Sequence, residues 1–136
     1  MKFETINHTA DVGIVAYGKT LHELFENAAS GMFSMIIPPD KVKEKLLISI
    51  SIDAHDLEEL LITYLNELLY YYSTKKVLFK RFEILELSET HLDARVSGEK
   101  IADHEILNDI KAATYHNLKI EKLADGTYKT PIIFDV

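Results

Sequence analysis

Two helix-start signatures constrain the fold of this 136-residue chain more than any other sequence feature. Thr20 is followed by Glu23, and Asp56 by Glu59, in the capping-box spacing that satisfies free amides at the first turn of a helix. Apolar residues recur after each signature at helical spacing, which predicts two amphipathic helices. Pro38-Pro39 ends the first, because neither proline can donate a helical hydrogen bond, and the second is predicted to run to about Tyr72.

The rest of the chain shows the two-residue alternation of strands. The weak alternation of residues 1–7 and the ambiguous pattern of 101–107 are the least informative parts. Short turns at 88–90 and 124–126 join neighbouring strands, which favours antiparallel pairing. The sequence therefore predicts a single α+β domain over residues 1–136, with a mostly antiparallel sheet and two main helices. The predicted strands are 1–7, 12–18, 47–52, 77–87, 91–98, 110–120 and 130–136.

The charge balance argues against tight, direct binding to nucleic acid. The chain has 15 Lys and Arg residues against 22 Asp and Glu, for a net charge of -7. Proteins that bind nucleic acid through its phosphates need a concentrated basic surface, because counterion release supplies most of the affinity. Cysteine is absent, so thiolate metal sites are excluded. No apolar run reaches the ~20 residues of a membrane span, and the N-terminus lacks the pattern of a signal peptide, so we expect a cytoplasmic protein without membrane contact.

Two acidic positions are candidate ligands for a hard cation. Asp11 lies between two predicted strands and offers the oxygen donors that Ca²⁺ and Mg²⁺ prefer, although a simple Asx turn is the commoner explanation of such a residue. Asp135 and the carboxylate of Val136 lie close together if the final strand is ordered to its end. Two such charges call for a neutralising partner, whereas fraying of the last residues is the simpler alternative.

The segment from Lys111 to His116 is the third candidate. Alternation places Lys111 and Tyr115 on one face and Thr114 and His116 on the other. A lysine can bind phosphate and a histidine can transfer protons, but an edge-strand lysine beside a half-buried histidine is the commoner situation. The HExxH, GxxxxGK[ST] and GxSxG motifs are all absent, which argues against a self-contained zinc protease, NTPase or serine hydrolase.

Taken together, these segments resemble the archease family over essentially the whole chain. Each motif is weak alone, but their order, with the last one at the C-terminus, makes the match specific. Tyr64 stands where many relatives have Trp, and Ala113 replaces a larger aliphatic residue. The resemblance rests on His8-Thr9-Ala10-Asp11-Val12-Gly13, Gly18 with Thr20-Leu21 and Glu23 to Ala29, Leu65 to Tyr70, Lys111-Ala112 with Thr114-Tyr115-His116, and Phe134-Asp135-Val136.

The resemblance implies a non-enzymatic accessory protein that activates an RtcB-type RNA ligase in tRNA splicing, by promoting its guanylylation and multiple turnover. It also implies a divalent cation, Ca²⁺ with Mg²⁺ as the alternative, bound by Asp11, Asp135 and Val136. Two other functions are kept open: a chaperone-like module that only stabilises a partner, and an independent metal-dependent hydrolase. The candidate activation residues are Lys111, Glu26, His8 and His116.

Overall fold

The computed structural model describes residues 1–7 and 12–136. The α+β class with two main helices is confirmed, and a single turn of 3-10 helix follows the first helix. The elements are β1 (Phe3–Asn7), β2 (Val12–Gly18), α1 (Leu21–Ile36), the 3-10 turn (Pro39–Lys41), β3 (Leu46–Asp53), α2 (Leu57–Lys75), β4 (Val77–Leu87), β5 (His91–Lys100), β6 (Ala112–Thr114), β7 (Glu121–Lys122) and β8 (Tyr128–Asp135).

The strands form two sheets, and the strand pairings in the described residues are antiparallel. The first sheet has the order β1-β2-β8-β6, with β7 also paired to β8, and the second has the order β3-β5-β4. β8 is therefore an inner strand, with β2 along one edge and β6 and β7 along the other. This arrangement places residues near position 12 beside residues near position 134, although they are far apart in sequence.

The N-cap hydrogen bond of each predicted capping box is present. The Thr20 hydroxyl accepts a hydrogen bond from the Glu23 amide at 3.1 Å, and the Asp56 carboxylate accepts one from the Glu59 amide at 2.8 Å. α1 contacts both sheets, through β2 and β4, so its broad apolar face is almost wholly buried. At Gly31 the helix approaches β1 and β2 so closely that a methyl group would press on the side chains of Ile14 and Phe3.

α2 extends beyond its predicted end at Tyr72 and finishes at Lys75. The apolar periodicity fades after Tyr72, but the exposed polar residues that follow continue the helix. Lys76 then adopts a left-handed conformation, with φ of 55°, and ends it. No helix in the described part of the chain is long and apolar enough to cross a membrane.

The 101–120 segment differs most from the prediction, because only Ala112–Thr114 of the predicted 110–120 strand is a strand. Outside β6, several of its hydrogen bonds go to the helices rather than to a neighbouring strand. The Leu107 amide donates to the Ile36 carbonyl at 2.8 Å, and the Asn108 side chain donates to the Met35 carbonyl at 2.7 Å, which satisfies two free carbonyls at the end of α1. The short strand β7, which was not predicted, follows this segment.

Candidate functional site

Three strands meet at the end of β8. Val12 pairs with Phe134 in the β2–β8 register, and Ala112 pairs with Asp135 in the β6–β8 register. The Lys111 amide also donates to the Asp135 carbonyl at 2.8 Å. The residue that directly follows Asp11 in sequence thus lies opposite the residue that directly precedes Asp135. His8 and Asp11 themselves lie outside the described residues.

The acidic groups at this end of the sheet are accessible. Asp135 and Lys111 are exposed, and Val136 retains 58% of its accessible surface. Within residues 1–7 and 12–136, no lysine, arginine or histidine nitrogen lies within 4.0 Å of the Asp135 carboxylate or the terminal carboxylate. The strand is ordered up to Asp135. An accessible, all-oxygen donor set suits a hard cation.

Gly13 explains part of the His8–Gly13 motif. A methyl group at this position would collide with the carbonyl oxygen of Ile132 on β8. The glycine therefore permits the close approach of β2 to β8 directly beside the candidate site.

The side chain of Asn66 on α2 holds β6 in place. Its amide nitrogen donates to the Ala113 carbonyl at 3.1 Å, and its carbonyl oxygen accepts from the Ala113 amide at 2.8 Å. Asn66 thus completes the hydrogen bonding of a strand edge that would otherwise be free. This explains one of the family-like motifs structurally: it fixes the strand that begins directly after Lys111.

His116 does not share the strand face that the sequence predicted for Ala112 and Thr114. The strand ends at Thr114, and the Leu118 amide donates to the Tyr115 carbonyl to close a turn in which Asn117 has φ of 58°. His116 is exposed in that turn, and its backbone amide donates to the Thr114 hydroxyl. The prediction of a half-buried histidine on a long strand is therefore wrong.

Glu26 connects α1 with the second sheet. It is half-buried, and its carboxylate accepts a hydrogen bond from the Ile84 amide of β4 at 2.9 Å. Ile84 pairs with Ala94 and directly precedes an irregularity of the β4–β5 ladder. The observed contact gives Glu26 a structural role in joining the two halves of the fold.

Two further clusters were not found by sequence reasoning. Glu99 and His104 form a largely shielded pair, with Glu99 Oε2 3.1 Å from His104 Nε2. The second cluster lies on the β3-β5-β4 sheet and comprises Asp53, Glu86, His91 and Asp93. The residues of the second cluster come from β3, β4 and β5, and the strand register brings them together.

Comparison with known proteins places these observations in a family. The model of the archease protein family (MTH1598/TM1083) matches residues 3–136. A protein named archease from Methanosarcina mazei is 39% identical, and the match covers 99% of this chain and 96% of that protein.

Two solved structures have the same fold. The solution structure of protein 1598 from Methanobacterium thermoautotrophicum matches with a TM-score of 0.83 and 35% identity, over 99% of both chains. The crystal structure of an archease from Thermotoga maritima, described as a possible chaperone, matches with a TM-score of 0.71 and 26% identity, over 96% of this chain and 94% of that one.

Proposed function

Because this chain belongs to the archease family, we propose that it is a cytoplasmic accessory protein that activates an RtcB-type RNA ligase by promoting its guanylylation and multiple turnover. The proposal rests first on the family resemblance of the motifs and then on where the fold puts them. Described parts of three of the five motifs meet at the end of β8: Val12-Gly13, the residues around Lys111, and the C-terminal Phe134-Asp135-Val136.

The observation that carries the proposal is the pairing of Val12 with Phe134. It supports a joint site of Asp11, Asp135 and the Val136 carboxylate, because Asp11 directly precedes Val12 in sequence and Asp135-Val136 directly follow Phe134. The donor atoms are all oxygens, so the proposed cation is Ca²⁺, with Mg²⁺ as the alternative. When bound, the cation supplies positive charge for the phosphates of the ligase's nucleotide.

Lys111 is the proposed second contributor. Its side chain is exposed, while its backbone is fixed by the hydrogen bond to Asp135, so the ammonium group projects from a defined point beside the acidic residues. An ammonium group there can bind a phosphate of the guanylyl donor and stabilise the negative charge that develops during transfer. The net charge of -7 fits an acidic surface that docks on a basic cleft of the ligase better than one that binds RNA.

A single-turnover guanylylation assay tests the activator function. The ligase is incubated with labelled GTP, with and without catalytic amounts of this chain, and the rate of covalent labelling is measured. We expect the parent chain to raise the rate, and Asp11→Ala, Asp135→Asn and Lys111→Met to lose most of that increase. Lys119→Met, which removes an exposed lysine from the same part of the chain, is the matched control and should activate normally.

Calorimetry with Ca²⁺ and Mg²⁺ tests the cation site separately. Asp11→Ala should weaken binding at least tenfold, whereas Asp103→Ala, at an exposed acidic position elsewhere, should not. Unchanged binding in the Asp11 variant contradicts the ligand assignment. A guanylylation rate that is indifferent to the parent chain contradicts the activator function, and turnover of GTP or RNA by the isolated chain indicates a hydrolase instead.

The alternative is a chaperone-like module, which is supported by the description of the Thermotoga maritima structure as a possible chaperone. The two functions differ in their dependence on Asp11. A chaperone raises the yield of folded ligase whether or not Asp11 is intact, whereas the proposed activator accelerates guanylylation of fully folded ligase and needs Asp11.

A further inference from the structure

The solvent face of the β3-β5-β4 sheet carries a histidine among three carboxylates. His91 lies directly opposite Asp53 in the β3–β5 register, and Asp93 lies directly opposite Glu86 in the β4–β5 register. Leu92, between His91 and Asp93, is fully buried, so the two polar neighbours point to the other, outer face. Three strands thus contribute to one cluster, which we call the His91 cluster: Asp53, Glu86, His91 and Asp93.

A β-bulge brings Glu86 into this cluster. Ile84 pairs with Ala94, and Glu86 pairs with Asp93, so two residues of β4 face one residue of β5 at this point. In a regular ladder the side chain opposite Asp93 would be that of Leu85. The bulge therefore exchanges an apolar neighbour of Asp93 for a carboxylate, which is the kind of local re-aiming that bulges produce.

The ligand atoms are already close together. One atom from each of Glu86, His91 and Asp93 lies within 4.8 Å of the others. Donors at about 2.0–2.2 Å from one tetrahedral zinc ion lie about 3.3–3.6 Å apart, so side-chain rotations that close a gap of at most roughly 1.5 Å suffice. Asp53 Oδ1 lies 2.7 Å from His91 Nδ1, while His91 Nε2 faces Asp93 at 3.1 Å. A histidine that binds a metal through one ring nitrogen commonly donates the N–H of the other to a carboxylate.

The charge of the cluster is unbalanced. In the described residues, no lysine or arginine nitrogen lies within 4.0 Å of the carboxylates of Asp53, Glu86 or Asp93. Arg95, two residues along β5 from Asp93, is paired with Glu83 at 3.3 Å. Even a protonated His91 therefore leaves an excess of negative charge, which a cation would neutralise. An open hollow of about 330 Å³ beside Glu86 and Asp93 leaves room for water ligands.

We propose that Glu86, His91 and Asp93 bind a divalent transition-metal ion, best matched by Zn²⁺, with Asp53 orienting the imidazole. A mixed set of one imidazole nitrogen and carboxylate oxygens selects borderline ions such as zinc over Ca²⁺ and Mg²⁺, which prefer oxygen alone. Bound there, the ion connects β4 and β5 directly and β3 through Asp53. This site is independent of the proposed ligase activation and of Asp11, Asp135 and Val136.

Titration of the full chain with ZnCl₂, followed by calorimetry and by imidazole ¹⁵N NMR, tests the site. We expect the parent chain to bind zinc with the His91 Nε2 resonance shifted, and the thermal midpoint to rise with zinc because the ion binds the folded state. The His91→Ala variant should bind zinc at least tenfold more weakly than the parent, and so should the isosteric Glu86→Gln variant. Asp53→Asn should weaken it roughly 10–100-fold without removing a ligand.

His55→Ala is the matched control. His55 also lies beside a carboxylate, with Nδ1 2.9 Å from Glu59, but its side chain is 93% exposed and has a single acidic partner. We expect this variant, and Asp11→Ala, to bind zinc like the parent, and excess Ca²⁺ not to compete. Zinc binding that is undiminished in both His91→Ala and Glu86→Gln, or a parent chain without zinc binding below millimolar concentration, overturns the proposal.

Discussion

At the scale of single residues, the environment of Tyr64 is unfavourable for its hydroxyl group. Its side chain is fully buried, and its hydroxyl has no hydrogen-bond partner among the described residues. Burial, and then the nearby Glu26 carboxylate, raise the pKa of the Tyr64 phenol far above its usual range, so the hydroxyl stays protonated. The hydroxyl loses its hydration on folding without a replacement bond, which is unfavourable.

We therefore predict that Tyr64→Phe stabilises the protein by about 1 kcal/mol, because it removes an unsatisfied buried group. Tyr72→Phe is the control, since the Tyr72 hydroxyl donates to Asp109 at 2.8 Å. The loss of this hydrogen bond in Tyr72→Phe should lower the free energy of unfolding by about 1 kcal/mol. Urea denaturation measures both. An equal destabilisation of the two variants would mean that the Tyr64 hydroxyl is in fact bonded.

Glu99 gives a prediction about pH. Its side chain accepts a hydrogen bond from the Lys43 amide at 2.7 Å and lies beside His104, and these two contacts, in that order, lower the pKa of the Glu99 carboxyl. The Ala102 amide donates to His104 Nδ1, so Nε2 carries the proton shared with Glu99. A pKa lowered by folding means that the ionised carboxylate stabilises the native state.

This stabilisation is present above the ordinary glutamate pKa of 4.5 and is lost as the pH falls through the lowered value. Glu99→Gln should therefore be less stable than the parent at neutral pH, and the difference should shrink in acid. Chemical denaturation at a series of pH values measures it, with the exposed Glu105→Gln as the control. A difference that is constant from neutral to acidic pH would contradict the assignment.

At the scale of elements, β6 depends on helix α2 for hydrogen bonds to both backbone groups of Ala113. Asn66→Ala removes both bonds from α2 to Ala113 and leaves a partly buried strand edge unsatisfied. We expect a loss of about 1–3 kcal/mol in the free energy of unfolding. The Ala113 amide should exchange with solvent markedly faster, while Glu67→Ala, a truncation at the next position, leaves it protected. Unchanged Ala113 protection in Asn66→Ala would show that β6 does not need the side chain.

The elements that the sequence predicted well are those set by local interactions. Both helices follow from capping residues within four positions and from a continuous apolar face. β3 follows from simple alternation, since Ile50 and Ile52 are buried and their neighbours exposed. The 101–120 segment is different because, apart from its pairing with β8, it bonds to the end of α1 and to Asn66 and Glu58 of α2. Such partners lie far away in sequence, so alternation alone overstates the strand.

The two candidate sites also differ in how far the sequence predicts them. The end of β8 could be identified from the resemblance of its motifs, but its pairing with Val12 and Ala112 is a tertiary fact. The His91 cluster could not be predicted at all. It needs the register of two strand pairs and a bulge at Leu85-Glu86, and no spacing in the sequence specifies either.

At the scale of the whole molecule, the position of β8 inside its sheet restricts what can follow it. A short Gly-Ser extension after Val136 converts the terminal carboxylate to an amide and leads extra chain past Asp135. We expect it to reduce ligase activation severalfold and to weaken Ca²⁺ binding, whereas the same extension before Met1 should do neither. The guanylylation assay and calorimetry compare the two forms. Equal activity would remove Val136 from the proposed site.

The separation between the paired strands β2 and β8 also decides how fast the molecule forms. Val12 and Phe134 are about 120 residues apart, whereas β4 and β5 are joined by three residues, so closing the first pair costs about 3 kcal/mol more chain entropy. Contacts that distant slow the search for the native state. The β4–β5 hairpin should therefore form before the barrier and the β2–β8 pairing after it.

Stopped-flow refolding can separate these events with two buried aliphatic residues. Leu92→Ala in the hairpin should slow folding, whereas Ile132→Val in β8 should mainly accelerate unfolding. If Ile132→Val slowed refolding by an amount that accounts for its whole loss of stability, the inferred order would be wrong. In the expected order, the end of β8 is assembled last, and an intermediate with a formed hairpin still lacks the pairing that brings the residues next to Asp11 and Asp135 together.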